Sequence, residues 1–245
     1  RRGYPPDLFL LSDILSLLMM QNGAVMMDER GQAVFDRLPG SLRGRAVAPG
    51  EEALVFYTDF ANQGKEVYTW GDTLPNSLQA FAAGKAAIFF GYGYQLATVK
   101  NLAPKLNFDI APMLQIEGNP EVNFANYWLE GVSRKSARRD FAWDFVQFAA
   151  AGRTGQNQSG YIAEQYLALA KKPTALRALV VKQAEDLAIG VFASQVLTAK
   201  SWYRGNDARA AESAFLDMID QVRGGTVDAA DALRLAAQKV NQTLK

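Results

Sequence analysis

Apolar residues recur at helical spacing along most of this sequence, and this pattern restricts the chain to a helix-rich fold. Seven stretches show the pattern: residues 8–22, 51–64, 77–84, 136–152, 173–197 with an interruption at Gly190, 207–224 and 226–244. Asp207 or a neighbour is the predicted N-cap of the helix before the last, and Thr226 is that of the last helix. With 245 residues, the chain can bury roughly 70–75% of the surface that its unfolded form exposes. We therefore expect one large or two small hydrophobic cores that need no disulfide.

Three short apolar runs are typical of β-strands. Residues 86–90 form a continuous apolar run, as in a strand that is buried on both faces. Leu106, Phe108 and Ile110 alternate with polar residues, and residues 127–132 form the third candidate. The sequence therefore predicts an α/β protein with many helices and few strands.

The composition excludes several classes of function. The chain contains no cysteine and no histidine, so it has no disulfide, no thiolate nucleophile and no imidazole metal ligand or catalytic base. The net charge of +1 gives no electrostatic attraction for nucleic acid. The most apolar stretch, residues 8–20, is too short to cross a bilayer, which takes about 20 residues. The sequence starts at Arg1 without an initiator methionine, which predicts that it is part of a longer protein.

Motifs for catalysis, nucleotide binding or metal binding are weak. Gly91 and Gly93 supply two of the three glycines of a dinucleotide-binding fingerprint, and no lysine follows a glycine run as in a P-loop. Spaced acidic pairs such as Asp228 with Asp231 lie on the polar sides of predicted helices, where carboxylates are solvated. No acidic set has the spacing of a calcium loop. We therefore predict no catalytic residue, no metal site and no cofactor.

Aromatic residues cluster in pairs next to the ends of predicted elements. A sugar ring presents apolar C–H faces and a rim of hydroxyl groups, so a carbohydrate site combines flat aromatic side chains with polar hydrogen-bonding groups. Packing on a local core is the alternative interpretation for each pair. The pairs are Tyr68 with Trp70, Tyr92 with Tyr94, Tyr127 with Trp128, and Trp202 with Tyr203, and nearby polar residues include Asn123, Asn126, Arg204 and Asp207.

The segment FAAGKAAIFFGYGY resembles a motif of bacterial extracellular solute-binding proteins of the maltodextrin-binding type, which are the ligand-capturing subunits of ABC sugar importers. Further segments are similar to that family in the same order along the chain. They are ALVFYTDFA, YTW, LNFDIAPM, NYWLEGVSRKS, FAWDFVQFAA, GVFASQVLTAKSWYRGND and ESAFLDMIDQVRGGTVDAADALRLAAQKV. The resemblance covers nearly the whole chain.

The resemblance implies a type II periplasmic-binding-protein-like α/β fold with two lobes and a ligand cleft between them. By position, residues 1–126 and 172–245 correspond to the second lobe, and residues 127–171 correspond to a segment that returns to the first lobe. The family's first lobe has no other counterpart in this sequence. The resemblance therefore also implies a fragment, with a signal peptide and a lipid-anchoring cysteine upstream.

The resemblance also implies the ligand contacts. Tyr94 falls where the family places an aromatic platform after a strand, and Tyr92 is its neighbour. The remaining candidates are Trp128, Tyr127 and Asn126 near the crossing segment, Trp202 and Arg204 in a loop at the rim of the second lobe, and Trp70.

The predicted function is that of a non-enzymatic, monomeric, extracytoplasmic substrate-binding component that delivers a carbohydrate, an oligosaccharide in particular, to the transmembrane permease of an ABC importer. Three alternatives stay open. A carbohydrate-active hydrolase could use an Asp/Glu pair, because that chemistry needs neither histidine nor cysteine. The ligand could instead be an amino acid or a polyamine, and a helical interaction scaffold would leave the aromatic pairs as core residues.

Overall fold

A computed structural model describes residues 8–126, 129–154 and 160–244 of the chain. Its ten α-helices in these ranges are α1 (Leu8–Gln21), α2 (Pro49–Asp59), α3 (Ser77–Ala82), α4 (Gln95–Leu102), α5 (Arg139–Ala151), α6 (Ile162–Ala170), α7 (Arg177–Ala184), α8 (Gly190–Gln195), α9 (Ala208–Arg223) and α10 (Ala229–Gln242). The four strands described are β1 (Asn123–Phe124), β2 (Arg153–Thr154), β3 (Gly160–Tyr161) and β4 (Ala199–Lys200). Strand β1 pairs with β4 in parallel, and β2 pairs with β3 antiparallel.

The chain divides into two compact units. Unit 1 comprises Arg1–Asn76, Leu114–Phe124 and Thr198–Lys245, and unit 2 comprises Ser77–Met113 and Ala125–Leu197. The chain therefore passes between the units four times. The lobe boundaries predicted at residues 126 and 171 refer to the two lobes of a larger protein and not to these two units, and they stay a prediction.

Unit 1 contains the large hydrophobic core. Helices α9 and α10 pack along each other, and α1 and α2 cover them, so that the apolar stripes of four amphipathic helices meet. Asp207 caps α9 as predicted, because its carboxylate accepts hydrogen bonds from the backbone of Arg209 and Ala210. The largest buried core side chains include Leu15, Met19, Phe35, Leu54, Phe215, Met218, Ile219, Leu233 and Val240.

The segment of residues 114–124 is fixed to unit 1 by side-chain amides. Gln21 at the end of α1 donates through Nε2 to the carbonyl oxygens of Leu114, at 2.8 Å, and Val122, at 3.1 Å. The Nδ2 of Asn123 donates to Thr198 Oγ1 at 2.9 Å. These bonds hold the short β1–β4 pair next to the first helix.

Unit 2 buries less. The buried apolar side chains described there are Leu78, Val99, Leu167, Leu179, Val180, Ile189 and Ala193. The ring of Phe81 packs at 5.6 Å from that of Phe108 and at 5.9 Å from that of Phe89, measured between centroids. By contrast, the predicted apolar stripe of α5 is largely exposed, with Phe141 at 74%, Phe145 at 69% and Phe148 at 57% of their full accessibility.

The strand predictions are wrong where the structure describes them. Residues 86–90 form no strand, and Ile88 is 68% exposed. Residues 106–110 and 129–132 are likewise not assigned to strands, and residues 127 and 128 lie outside the described part. A short apolar run can become a strand only where another strand satisfies its backbone hydrogen bonds. In the described part of the chain, no segment pairs with these runs.

Each of the seven predicted helical stretches contains a helix, with ends that differ by a few residues, whereas α4 and α6 were not predicted. Helix α2 ends at Asp59 rather than near residue 64, and α5 begins at Arg139 rather than at residue 136. Asp228 caps α10 in place of Thr226, because its side chain accepts the backbone N–H of Asp231. Asp and Thr are both favoured caps, so the pattern alone does not separate two such residues two positions apart.

Candidate ligand-binding residues

Tyr92 and Tyr94 form a stacked aromatic pair in unit 2. Their ring centroids lie 5.8 Å apart with 15° between the ring planes. Tyr94 directly precedes α4 and is 60% exposed, whereas Tyr92 is half-buried. The pair therefore presents an aromatic surface that a flat apolar face of a ligand can contact.

A tight turn holds this aromatic pair in place. Gln95, the first residue of α4, is buried, and its side-chain Oε1 accepts the backbone N–H of Tyr92 at 2.8 Å. A Cβ on Gly91 would lie 2.6 Å from the ring of Phe89 and 2.8 Å from Gln95 Oε1, so no larger residue fits without a shift. The turn therefore fixes the backbone next to both tyrosines.

Asn126 also lies in unit 2 and is exposed. Tyr127 and Trp128, which were predicted with it, lie outside the described residues.

Trp202 lies in unit 1 and packs on its core. Its ring centroid is 5.5 Å from that of Phe215 and 6.0 Å from that of Phe35. Its Nε1 donates to Ser16 Oγ at 3.1 Å. Trp202 is half-buried, so this indole has both a core contact and a polar partner within unit 1.

Arg204 follows Trp202 in the same loop and binds two buried carboxylates. It pairs with Asp13 on α1, and its Nη1 lies 2.7 Å from Glu212 Oε2 on α9. The guanidinium also lies 5.6 Å from the centroid of Trp202 and 5.9 Å from that of Phe124. Arg204, which was predicted to contact the ligand, therefore binds side chains within unit 1.

Trp70 is half-buried in unit 1. Its centroid lies 5.6 Å from that of Tyr57, and the guanidinium of Arg223 lies 5.9 Å from it. The structure thus places Trp70, Trp202 and Arg204 in unit 1, and Tyr92, Tyr94 and Asn126 in unit 2.

The sequence pattern did not single out the polar residues of α1 that contact Arg204 or Trp202. Ser12, Asp13 and Ser16 are all buried, although they occur within the most apolar stretch of the chain. Buried polar groups persist where they are hydrogen-bonded. The signal that could have revealed them is the placement of three polar residues on one side of a strongly apolar helix. Their hydrogen-bonding partners are distant in sequence, so the pattern does not identify those partners.

Unit 2 also contains a cavity of about 470 Å³ between α6 and α7. Leu167, Leu179 and Ile189 supply apolar lining, and Lys182 at the rim pairs with Glu164 at 2.6 Å. None of the predicted ligand contacts lines this cavity.

The described residues include neither a metal-ion site nor a membrane-spanning helix. Within them, no group of three or more acidic, cysteine or histidine side chains is arranged to hold a metal ion. Nor do these ranges include a helix with the length and apolar character needed to span a membrane.

Comparisons with known proteins identify relatives. The model of the family "bacterial extracellular solute-binding protein" matches residues 7–151. A search of curated proteins finds no match. Among solved structures, a protein from Synechococcus sp. MITs9220 that is described as an oligosaccharide periplasmic-binding protein is similar, with a TM-score of 0.62 and 18% identity. The match covers 93% of this chain and 57% of that one.

A second similar structure is an ABC transporter solute-binding protein from Thermotoga lettingae TMO bound with α-D-tagatose. Its TM-score is 0.58 at 15% identity, and the match covers 96% of this chain and 56% of that one. The chain thus spans little more than half the length of these structures. The similarity shows the α/β fold of type II periplasmic binding proteins, in a helix-rich form.

Proposed function

The chain belongs to the bacterial extracellular solute-binding proteins, and we propose that it is part of the substrate-binding component of an ABC importer. In this proposal it captures a carbohydrate, an oligosaccharide in particular, outside the cytoplasm and delivers it to the transmembrane permease. Family membership supports a binding role without catalysis. The similar structures support a sugar, because one is described as oligosaccharide-binding and another holds α-D-tagatose.

The stacked Tyr92–Tyr94 pair, of which Tyr94 is exposed, carries the proposal for a sugar ligand. Aromatic side chains bind the apolar faces of sugar rings by stacking, and neighbouring polar groups bind the hydroxyls. Tyr94 is exposed at the end of a fixed turn, so stacking would need little rearrangement. We propose Tyr94 as the principal contact and Tyr92 as the residue that supports it. The other ligand contacts stay predictions. They are Asn126, Tyr127, Trp128, Trp70, Trp202 and Arg204.

Residues 127–171 are proposed to belong to the first lobe of a two-lobed protein, and the rest of the chain to the second. The exposed stripe of Phe141, Phe145 and Phe148 supports this assignment. An amphipathic helix is stabilised mainly by packing of its apolar face, and a first lobe would supply the surface for it. The monomeric state and the lipid tether of the whole protein stay predictions of the same kind.

A titration with a panel of ligands tests the proposed function. The panel contains monosaccharides, oligosaccharides of increasing length, amino acids and polyamines, and binding is followed by tryptophan fluorescence and by calorimetry on the full-length protein. A saturable response to sugars alone supports the proposal. A response only to an amino acid or a polyamine would show that the ligand is of that class and not a sugar. No response to any compound of the panel would contradict a role in binding solutes of these classes.

The variant Tyr94→Ala tests the contact itself. We expect its sugar affinity to fall by about 10-fold, because loss of one aromatic contact costs about 0.5–1.5 kcal/mol beyond the lost buried area. Tyr166→Ala is the matched control, since Tyr166 is 57% exposed in the same unit and lies on α6. Equal affinities of the two variants would remove Tyr94 from the site and leave the family role untouched.

The hydrolase alternative has a specific difficulty. Retaining and inverting mechanisms both need two carboxyl groups that face the ligand, about 5–10 Å apart. Asp13 and Glu212 are the buried carboxylates among the described residues, and both bind Arg204. The same sugar panel, analysed for released products by chromatography, tests for hydrolysis.

A further inference from the structure

The cavity between α6 and α7 in unit 2 has the size of a small-molecule site. Its volume of about 470 Å³ falls within the range of about 300–1,000 Å³ that is usual for ligand pockets. Three buried aliphatic side chains, Leu167, Leu179 and Ile189, form its apolar floor. Ala168 also lines the cavity and is exposed. An apolar group that lies on this floor would be removed from water, which favours binding.

Lys182 and Glu164, which also line the cavity, neutralise each other. Lys182 Nζ lies 2.6 Å from Glu164 Oε1, and Glu164 Oε2 accepts the backbone N–H of Tyr161 at 2.8 Å. The two charges are close enough to form a direct, charge-assisted hydrogen bond. This ion pair therefore adds no net charge to the cavity.

Asp186, another lining residue, is held by the backbone. Its Oδ1 accepts the N–H groups of Ala188, at 2.7 Å, and of Ile189, at 3.1 Å. These two hydrogen bonds keep the pKa of Asp186 below its ordinary value, and the charges of Lys171 and Lys100 add to that effect, while desolvation opposes it. Two cations therefore act on one carboxylate at this side of the cavity.

Lys171 supplies the cationic group that a ligand can reach. Its Nζ lies 4.0 Å from Asp186 Oδ2, and its side chain is 58% exposed. Among the residues that the structure describes, Lys171 has no hydrogen-bond acceptor and no closer ionic partner. Its backbone at the end of α6 is left-handed, with φ of 49° and ψ of 48°, a conformation in which glycine is the usual residue. A lysine held in this conformation beside a cavity is a sign of function.

We propose that this cavity binds a small amphiphile, whose apolar body lies on the aliphatic floor and whose carboxylate pairs with Lys171. An ammonium group has donors and no acceptor, so it selects an anionic head over a cationic one, and a carboxylate forms the stronger, charge-assisted bond to it. Neither Tyr92 nor Tyr94 lines the cavity. The inference therefore does not depend on the proposed sugar contacts.

Calorimetric titrations of the full-length protein test the proposal. Octanoate carries a carboxylate on an apolar chain, 1-octanol carries an uncharged hydroxyl on a similar chain, and acetate has the carboxylate without the chain. We expect one saturable site for octanoate and no saturable binding of acetate at the same concentrations. Lys171→Gln should weaken octanoate binding by about 3–5-fold and change 1-octanol binding by less than about 2-fold.

Lys105→Gln is the matched control for the change in charge. Lys105 is an exposed cation of the same unit that does not line the cavity, so its loss should leave octanoate affinity unchanged. Equal affinities of the two lysine variants for octanoate overturn the pairing with Lys171. Equal weakening of octanoate and 1-octanol by Lys171→Gln overturns it as well, and the absence of a saturable octanoate site overturns the proposal as a whole.

Ala168→Phe tests the place of binding. Ala168 is exposed on α6, so a larger side chain can enter the cavity without displacing the core. We expect octanoate and 1-octanol to bind at least about 10-fold more weakly, because the ring takes the space of the ligand body. Ala178→Phe, at an exposed position of α7 that does not line the cavity, should bind both as the wild type does.

The variant Tyr94→Ala separates this cavity from the proposed sugar site. Its affinity for octanoate should equal that of the wild type, whatever happens to its affinity for sugars. Loss of octanoate binding in Tyr94→Ala, or equal binding by Ala168→Phe and Ala178→Phe, would place the amphiphile elsewhere and overturn the proposal. If Ala168→Phe does not fold, the comparison of Lys171→Gln with Lys105→Gln decides.

Discussion

The two units use similar amphipathic helices and bury them to different degrees. In unit 1, the stripe of α9 is packed between α10, α1 and α2, and Phe215 is 1% exposed. In unit 2, the apolar residues of α5 also recur at helical spacing, but Phe145 is 69% exposed. The comparison teaches that periodicity determines the helix and its apolar face, whereas burial requires a second surface of matching shape.

The largest expected effect contrasts one phenylalanine from each unit. Phe215→Ala should lower the free energy of unfolding by about 3–5 kcal/mol, because it leaves a cavity in a closed core. Phe145→Ala should change it by no more than about 0.5 kcal/mol in the 245-residue chain, since its ring is largely exposed. Urea unfolding followed by circular dichroism measures both.

The same pair tests the lobe assignment. In a protein that also contains a first lobe, Phe145→Ala should become as costly as other large-to-small core substitutions, at about 3–5 kcal/mol. A small effect in that longer protein would contradict the proposed packing of α5 on the first lobe. A large effect in the 245-residue chain alone would contradict the exposure of Phe145.

The next contrast uses a glycine from each unit. Gly205 has φ of 81°, and a Cβ at this position would lie 2.1 Å from Thr243 Oγ1. Gly84 has φ of 69° with no atom within 4 Å of such a Cβ. Gly84→Ala should therefore cost about 1–2 kcal/mol for the left-handed conformation alone, and Gly205→Ala should cost more because of the added clash. Equal losses in thermal unfolding would show that Thr243 moves aside freely.

Eight of the ten described helices could be predicted from the sequence because their signals are local, whereas α4 and α6 were missed. Phe215, Met218 and Ile219 occur at helical spacing and are buried as predicted, and Asp207 caps α9. The strand prediction for residues 86–90 was wrong because a continuous apolar run does not specify which other strand would pair with it. The prediction of the fold class also depended on the family resemblance, since the described strands are only two residues long.

The candidate site was less accessible from the sequence. The aromatic pair Tyr92–Tyr94 is close in sequence, and the structure brings its rings together in a stack. Arg204 could be singled out, but its partner Asp13 lies 191 positions away. Nothing in a single sequence indicates a pairing over that distance, so the buried charge cluster became visible only with the fold.

The smallest expected effect concerns helix capping, which also differs between the units. In unit 1, Asp207 caps α9 with φ of −125° and ψ of 89°, and its side chain accepts two backbone N–H groups. In unit 2, Arg138 precedes α5 with a similar φ of −128° and ψ of 55°, and no side-chain cap hydrogen bond forms. Arg138→Asp should therefore stabilise the protein by about 0.5–1 kcal/mol, because aspartate can accept N–H groups of the first turn and favours the positive end of the helix dipole.

Arg138→Ala is the control that removes the charge without adding an acceptor. A gain in thermal stability for Arg138→Asp over Arg138→Ala, with slower hydrogen exchange in the first turn of α5, would show that the missing cap weakens this helix. Equal stability of the two variants would mean that the exposed apolar stripe, and not the helix end, makes unit 2 the less stable part of the chain.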